Sequence, residues 1–198
     1  MERDYKEHER LMRLAIAQGE LARGRTGDNP FVGCVLVGAD GEVLARGYTQ
    51  GPGEDHAEIA ALAAAKAAGL TVAGTTMYST LEPCSFHGRT PACSRVLIEH
   101  RIARLVFGMR DPNPRVDGEG ARILQRGGVE TLEGVCEAEI RRQLGEWVLQ
   151  YHPHEPRRRA RALRATCSPT ELIERLASVY AVAPARVAEL LQSADGEP

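Results

Sequence analysis

Residues 75–100, TTMYSTLEPCSFHGRTPACSRVLIEH, separate by composition into three parts. Thr75–Leu81 alternates in the manner of a strand, and Pro91–His100 has the composition of a helix. Between them a loop carries Cys84, Phe86, His87 and Arg89. Thr90 suits a helix cap and Pro91 a first helical position, which puts Cys93 in the first turn. The same strand–loop–helix grammar extends along the chain. Phe31–Val37 and Glu42–Tyr48 read as strands joined by the turn Ala39-Asp40-Gly41. Asp55 is a candidate cap for an alanine-rich helix that Gly69 stops. Ala103–Gly108 and Val129–Leu132 read as strands, Gly120–Arg126 and Cys136–Gln150 as helices. Ahead of them, Leu11, Leu14, Ile16 and Leu21 form a partial helical stripe reaching about Arg23. Strands alternating with helices predict a three-layer α/β domain around a mixed sheet.

The chain has 198 residues, room for one ordinary domain and an appendage. Its composition changes near Tyr151, where HPHEP reads as a linker and RRRARALR brings five arginines between Arg157 and Arg164. Ser168 and Pro169 then open a helix, and Ala183-Pro184 breaks it before a second short one. The expected division is therefore a domain at 1–150 and an arginine-rich linker with a helical tail at 151–198. The formal charge of −2 predicts no general attraction to nucleic acid or acidic membranes. No apolar run approaches the ~20 residues needed to span a bilayer. The start, MERDYKEHERLMRLA, has no signal-peptide apolar region. A soluble, cytoplasmic protein is expected. Five cysteines are too few and too scattered for a disulfide framework. Cys34, inside FVGCVLV, reads as a core side chain, and Cys136 and Cys167 have no metal-binding neighbour in sequence.

Two segments carry chemistry. Asp55-His56-Ala57-Glu58 and the 81–93 stretch together read His-x-Glu, then Pro-Cys and a second cysteine, and each follows a strand and opens a helix. This is the pattern of zinc-dependent nucleobase deaminases, in which a histidine and two cysteines hold zinc and the glutamate moves protons. Replacing an exocyclic amine by oxygen needs a strong nucleophile at neutral pH. Three protein ligands leave zinc's fourth position to water and lower that water's pKa towards ~7. A glutamate kept off the metal can take a proton from water and deliver it to the ring and the departing amine. Each piece also has an ordinary reading. Asp55-x-x-Glu58 fits a capping box. Two cysteines nine apart are wider than the usual zinc spacings of about two to four. Pro-Cys-x-x-His puts His87 where a second cysteine is commoner, so spacing alone leaves a His56, Cys84, His87 site open.

NPFVGCVLV, HAEIAAL, TLEPCSFHGRTPAC and DPNPRVDGEG occur in an order, and with gaps, that resemble the deaminase domain of the bifunctional riboflavin-biosynthesis deaminase/reductase over residues 6–150. The resemblance implies the cytidine-deaminase-like α/β/α sandwich, zinc as cofactor, His56, Cys84 and Cys93 as its ligands, and Glu58 as proton shuttle. It implies a diaminopyrimidinone ribosyl phosphate as substrate, with Asn29 contacting it, Arg89 meeting its phosphate and His87 beside the pocket rather than on the metal. It also implies assembly into dimers or tetramers. Three positions depart from the family pattern. Thr49 and Phe86 each stand where a histidine is usual, both on the substrate side, and Asp28 stands for a proline. The 48 residues after Gln150 are too few for a reductase domain.

Three functions compete on this reading. The first is a zinc-dependent hydrolytic deaminase of a small aminopyrimidine nucleotide or nucleoside. The second acts on a base within RNA or DNA, with the tail arginines tracking phosphates and Phe86 stacking on the base; the net charge weighs against it. The third makes zinc purely structural, closed by a fourth protein ligand, His87 or Glu58.

Overall fold

The structure is a computed structural model and describes residues 2–193. The chain parts into two compact units, Met1–Glu137 and Ala138–Pro198. This is earlier than the composition change near Tyr151, because the helices before that point pack with those after it.

The first unit begins with α1 (Glu2–Glu20), then β1 (Gly33–Val37), β2 (Val43–Tyr48), α2 (Ala57–Ala67) and β3 (Thr76–Leu81). It continues with α3 (Cys93–Glu99), β4 (Arg104–Met109), α4 (Glu119–Arg126) and β5 (Glu130–Glu133). The strands form one mixed sheet in the order β2-β1-β3-β4-β5. β1 runs antiparallel to both neighbours, and β3, β4 and β5 are parallel. Apolar residues fill both faces of the central strands, with Leu36, Met77, Leu105 and Phe107 fully buried. Helix α1 lies on one face of the sheet, and α2, α3 and α4 form the layer on the other. This is the expected three-layer sandwich.

Close contact between layers depends on two glycines. A Cβ at Gly33 would collide with the α1 backbone at Ala15 and Gly19. In keeping with that contact, α1 buries Leu11, Met12 and Ala15; of the predicted stripe, Leu14 and Ile16 are half-buried and Leu21, just past the helix, is exposed. On the other face, a Cβ at Gly47 would collide with the α2 backbone at Ala57 and Ala61. Gly47→Ala must therefore move the first turn of α2. Overpacking of this kind costs about 1–3 kcal/mol, so a lower thermal midpoint is expected. An unchanged midpoint would contradict the tight packing.

The helix predicted at 136–150 is two helices, α5 (Glu137–Gln143) and α6 (Gly145–Tyr151), parted at Leu144. Gly145 there touches the backbone of Tyr180, so closely that no side chain fits. The expected linker is also helical: α7 runs His154–Leu163, followed by α8 (Pro169–Tyr180) and α9 (Pro184–Gln192). The Ser168 cap is present, with Glu171 completing a capping box and Pro169 at the helix start. Two of the clustered arginines hold this unit together. Arg157 donates to the Leu190 carbonyl and to Ser193 Oγ at 3.0 Å. Arg159 and Arg141 both donate to the buried Glu155, at 2.7 and 2.9 Å, and Tyr180 donates its hydroxyl to the same carboxylate.

Burial alone would raise the pKa of Glu155. The hydrogen bond from Tyr180 and the two arginines outweigh it and hold the carboxyl below its usual range. A depressed carboxylate stabilises the fold above its unfolded pKa, and that contribution vanishes as pH falls through the folded value. Glu155→Gln is expected to cost about 1.5–3 kcal/mol at pH 7, the worth of a hydrogen bond to a charged group. It should also flatten the acid side of the stability curve, as read by urea unfolding at several pH values. A variant as stable as the parent at pH 7 would count against this cluster. No helix among the described residues is long and apolar enough to cross a membrane.

Candidate metal centre

The loop between β2 and α2 and the loop between β3 and α3 leave the sheet at the same end. The first delivers His56, which is itself the N-cap of α2 with extended backbone and no side-chain cap bond. The capping box read from Asp55 and Glu58 is therefore absent, and Glu58 is free of that duty. The second loop delivers Cys84, just past β3, and Cys93, the first residue of α3, whose N-cap is Ala92 rather than Thr90.

The ligand atoms of His56, Cys84 and Cys93 lie within 4.8 Å of one another. His56 Nδ1 is 3.8 Å from Cys84 Sγ and 3.4 Å from Cys93 Sγ. A tetrahedral ion with zinc's bond lengths holds sulfur and nitrogen ligands about 3.5 Å apart. The donor set, two soft sulfurs and an imidazole, is one that suits zinc. Cys84 is prepared as a thiolate. The Cys93 thiol donates to it, and His56 and the Cys93 backbone N–H add to this, so its pKa is pulled down to about 4. The Cys93 N–H···Sγ distance is 3.2 Å. The same contact, with full burial, raises the Cys93 thiol, and the hydrogen bond with Cys84 raises His56.

Glu58 is buried in the first turn of α2. Burial raises its pKa, against the positive charge of His56. It thus adjoins the cluster without being one of the three grouped ligands. His87 is not grouped either: it is exposed, and its Nδ1 donates to the Gly88 carbonyl at 3.1 Å.

A cavity of about 220 Å³ opens onto His56 and Cys84, lined also by Asp28, Asn29, Phe86 and Arg89. Of the residues expected on the substrate side, Asn29, Phe86 and Arg89 line it. Thr49 and His87 do not. Thr49 is buried, and its hydroxyl accepts from the Val32 N–H at 3.1 Å. Asn29 is held by its carbonyl, which accepts from Thr26 Oγ1 at 2.7 Å.

Two contributors escaped the sequence reading. Glu82 of LEPC is buried and accepts from the N–H groups of Gly118 and Ala121, at 2.9 and 3.1 Å. It pins the DPNPRVDGEG loop and the start of α4 behind Cys84. Arg115 of that loop lies over the Phe86 ring, 4.1 Å from its centroid. Only an unexplained acid before a Pro-Cys pair hinted at the first.

Comparison with known proteins adds to this geometry. Residues 5–109 match the family described as cytidine and deoxycytidylate deaminase zinc-binding region. The chain belongs to that family. The matched stretch is the family's zinc-binding region, and the residues of this chain placed to hold a metal are His56, Cys84 and Cys93. The riboflavin biosynthesis protein RibD of Escherichia coli is 46% identical over 131 residues, 66% of this chain and 35% of that protein. RibD of Acinetobacter baumannii superposes with a TM-score of 0.69 at 34% identity, over 75% of this chain and 41% of that one. A Thermotoga maritima structure, a diaminohydroxyphosphoribosylaminopyrimidine deaminase/5-amino-6-(5-phosphoribosylamino)uracil reductase, superposes with a TM-score of 0.65 at 38% identity, over 70% of this chain and 39% of that one. The chain thus spans about a third of the length of the curated relatives it matches.

Proposed function

We propose that this protein is a zinc-dependent hydrolytic deaminase of a small aminopyrimidine nucleotide or nucleoside, working in the cytoplasm as a homo-oligomer. The observation that carries the reading is the convergence of His56, Cys84 and Cys93 beside the buried Glu58, at a cavity sized for a small molecule. In this reading His56, Cys84 and Cys93 hold zinc, which supplies a water activated at neutral pH. Glu58, off the metal, would move two protons in turn: one from the attacking water to the ring nitrogen, then one from the newly added hydroxyl to the amine, which leaves as ammonia as the carbonyl forms. Asn29 and Phe86 position the ring, and Arg89 stands at the outer rim. Thr49 and His87 contribute by shaping the loops rather than by touching substrate. The riboflavin-pathway diaminopyrimidinone ribosyl phosphate is the first substrate to try, on the strength of the relatives' names and the shared motifs.

The deciding experiment loads the chain with zinc and measures ammonia release. Its panel holds that compound, cytosine and adenine nucleosides and nucleotides, and guanine. Turnover of one of them with one zinc per chain is expected; no release from any would sink the reading. A tail that binds nucleic acid has less support. Arg157 and Arg159 already serve contacts inside their own unit. A purely structural zinc has none from a fourth ligand, since neither His87 nor Glu58 joins the cluster.

A further inference from the structure

Arg89 is paired before any substrate arrives. Its Nη1 donates to Asp28 Oδ1 at 2.9 Å and its Nη2 to Asp28 Oδ2 at 3.1 Å, a two-point pair across 61 residues of sequence. Both side chains are more than half exposed. Exposed pairs of this kind contribute little to stability, so stability is a weak reason for this one to exist. Both residues line the same cavity as His56 and Cys84. An arginine reads a phosphate through the same planar donor fork that it offers a carboxylate. Here Asp28 takes the Nη1/Nη2 end of that fork and puts a negative charge beside the N–H donors that it does not use. A phosphate ester of about −1.5 to −2 charge would have to displace the carboxylate and then remain beside it. Among the lining residues no other arginine or lysine is present to compensate, and Arg115 is engaged over Phe86.

We propose that the cavity takes an uncharged aminated base or nucleoside rather than its phosphate ester, and that Asp28 sets this choice by pairing with Arg89 and holding a negative charge where the phosphate would sit. The proposal rests on the deaminase reading and narrows it: the ring chemistry stays, and the phosphate is refused. The arginine expected to meet a phosphate becomes instead part of a neutral rim, whose polar atoms face a sugar or the ring edge.

The test has a binding arm and a turnover arm, both on the full zinc-loaded chain. Calorimetry with ribose 5-phosphate compares the parent with Asp28→Asn, Asp28→Ser and Asp28→Asn combined with Arg89→Gln. Both single variants are expected to bind ribose 5-phosphate at least about tenfold more tightly than the parent, since a like charge beside the site is removed. The double variant should lose that gain. Parent binding equal to that of the single variants would overturn the proposal. In the turnover arm, kcat/KM is compared for a phosphorylated and an unphosphorylated form of whichever compound releases ammonia. The parent should favour the unphosphorylated form and Asp28→Asn should shift the ratio towards the ester by about tenfold; an unmoved ratio would count against it. If nothing in the panel releases ammonia, the deaminase reading fails, and the binding arm still decides what Asp28 does to Arg89.

Discussion

Glu58→Gln is expected to lower kcat for ammonia release by about 10²–10⁴-fold, the range that a positioned acid–base group supplies. Zinc content should stay unchanged. The substitution keeps the shape of the side chain and removes only its ability to take and return a proton. It also separates the two uses that Asp55-x-x-Glu58 suggested. A capping glutamate would show its loss as instability of α2. Here the N-cap is His56 without a side-chain bond, so Glu58 caps nothing. Burial already raises the carboxyl's pKa, because the charged form is the one that suffers from losing water. A neutral amide in that place therefore costs little. The expected signature is a collapse of kcat with a thermal midpoint close to the parent's. Turnover near the parent's would remove Glu58 from the mechanism; a large fall in midpoint with kcat per folded molecule preserved would return it to a structural role.

The parts of this protein that sequence made legible share a physical reason. Each strand of the sheet is short and apolar or alternating, bounded by turn residues, and the five observed strands match the five expected within two residues or so at each end. The metal cluster was legible because only a few side-chain types bind zinc and the chain spends them sparingly. His56, Cys84 and Cys93 are brought together by two strand-to-helix loops at one end of the sheet. What stayed hidden depends on partners distant in sequence. The local hint of a break at Leu144 is the glycine that follows it, and what requires that glycine is how closely Gly145 meets the Tyr180 backbone. HPHEP has a linker's composition, and it begins α7 because Glu155 is buried among Arg141, Arg159 and Tyr180. Prolines at the start of a helix are tolerated because the first N–H groups have no helical partner. The family pattern puts Thr49 on the substrate side, yet its hydroxyl accepts from the Val32 N–H. The Asp28–Arg89 pair is legible in sequence only as two separate residues, Asp28 as a departure from a usual proline and Arg89 as the residue expected at a phosphate.

Cys93→Ser tests the ligand set most severely. Removing a group that merely orients a ligand typically costs 10–100-fold in metal affinity or activity. Losing a ligand should therefore exceed about 100-fold in zinc affinity, and ammonia release should fall with it. Cys93 is the telling choice of the two cysteines because it is fully buried. Its sulfur is 3.4 Å from His56 Nδ1, and its thiol and backbone N–H both reach Cys84. The serine keeps the backbone N–H on Cys84 and replaces the soft donor by a hard one that zinc favours less. The variant should fold, hold zinc weakly, and lose the stabilisation that a bound ion lends the native state. Its thermal midpoint should accordingly stop responding to added zinc, while the parent's rises. His87→Ala is the counterpart, because spacing alone permitted a site built from His56, Cys84 and His87. With its imidazole exposed and donating to Gly88, His87 has no place in the cluster. Its loss is expected to leave zinc content and the midpoint's response to zinc as they were. If His87→Ala released the metal and Cys93→Ser retained it, the ligand set argued from the 81–93 stretch would have to be redrawn around the shorter spacing.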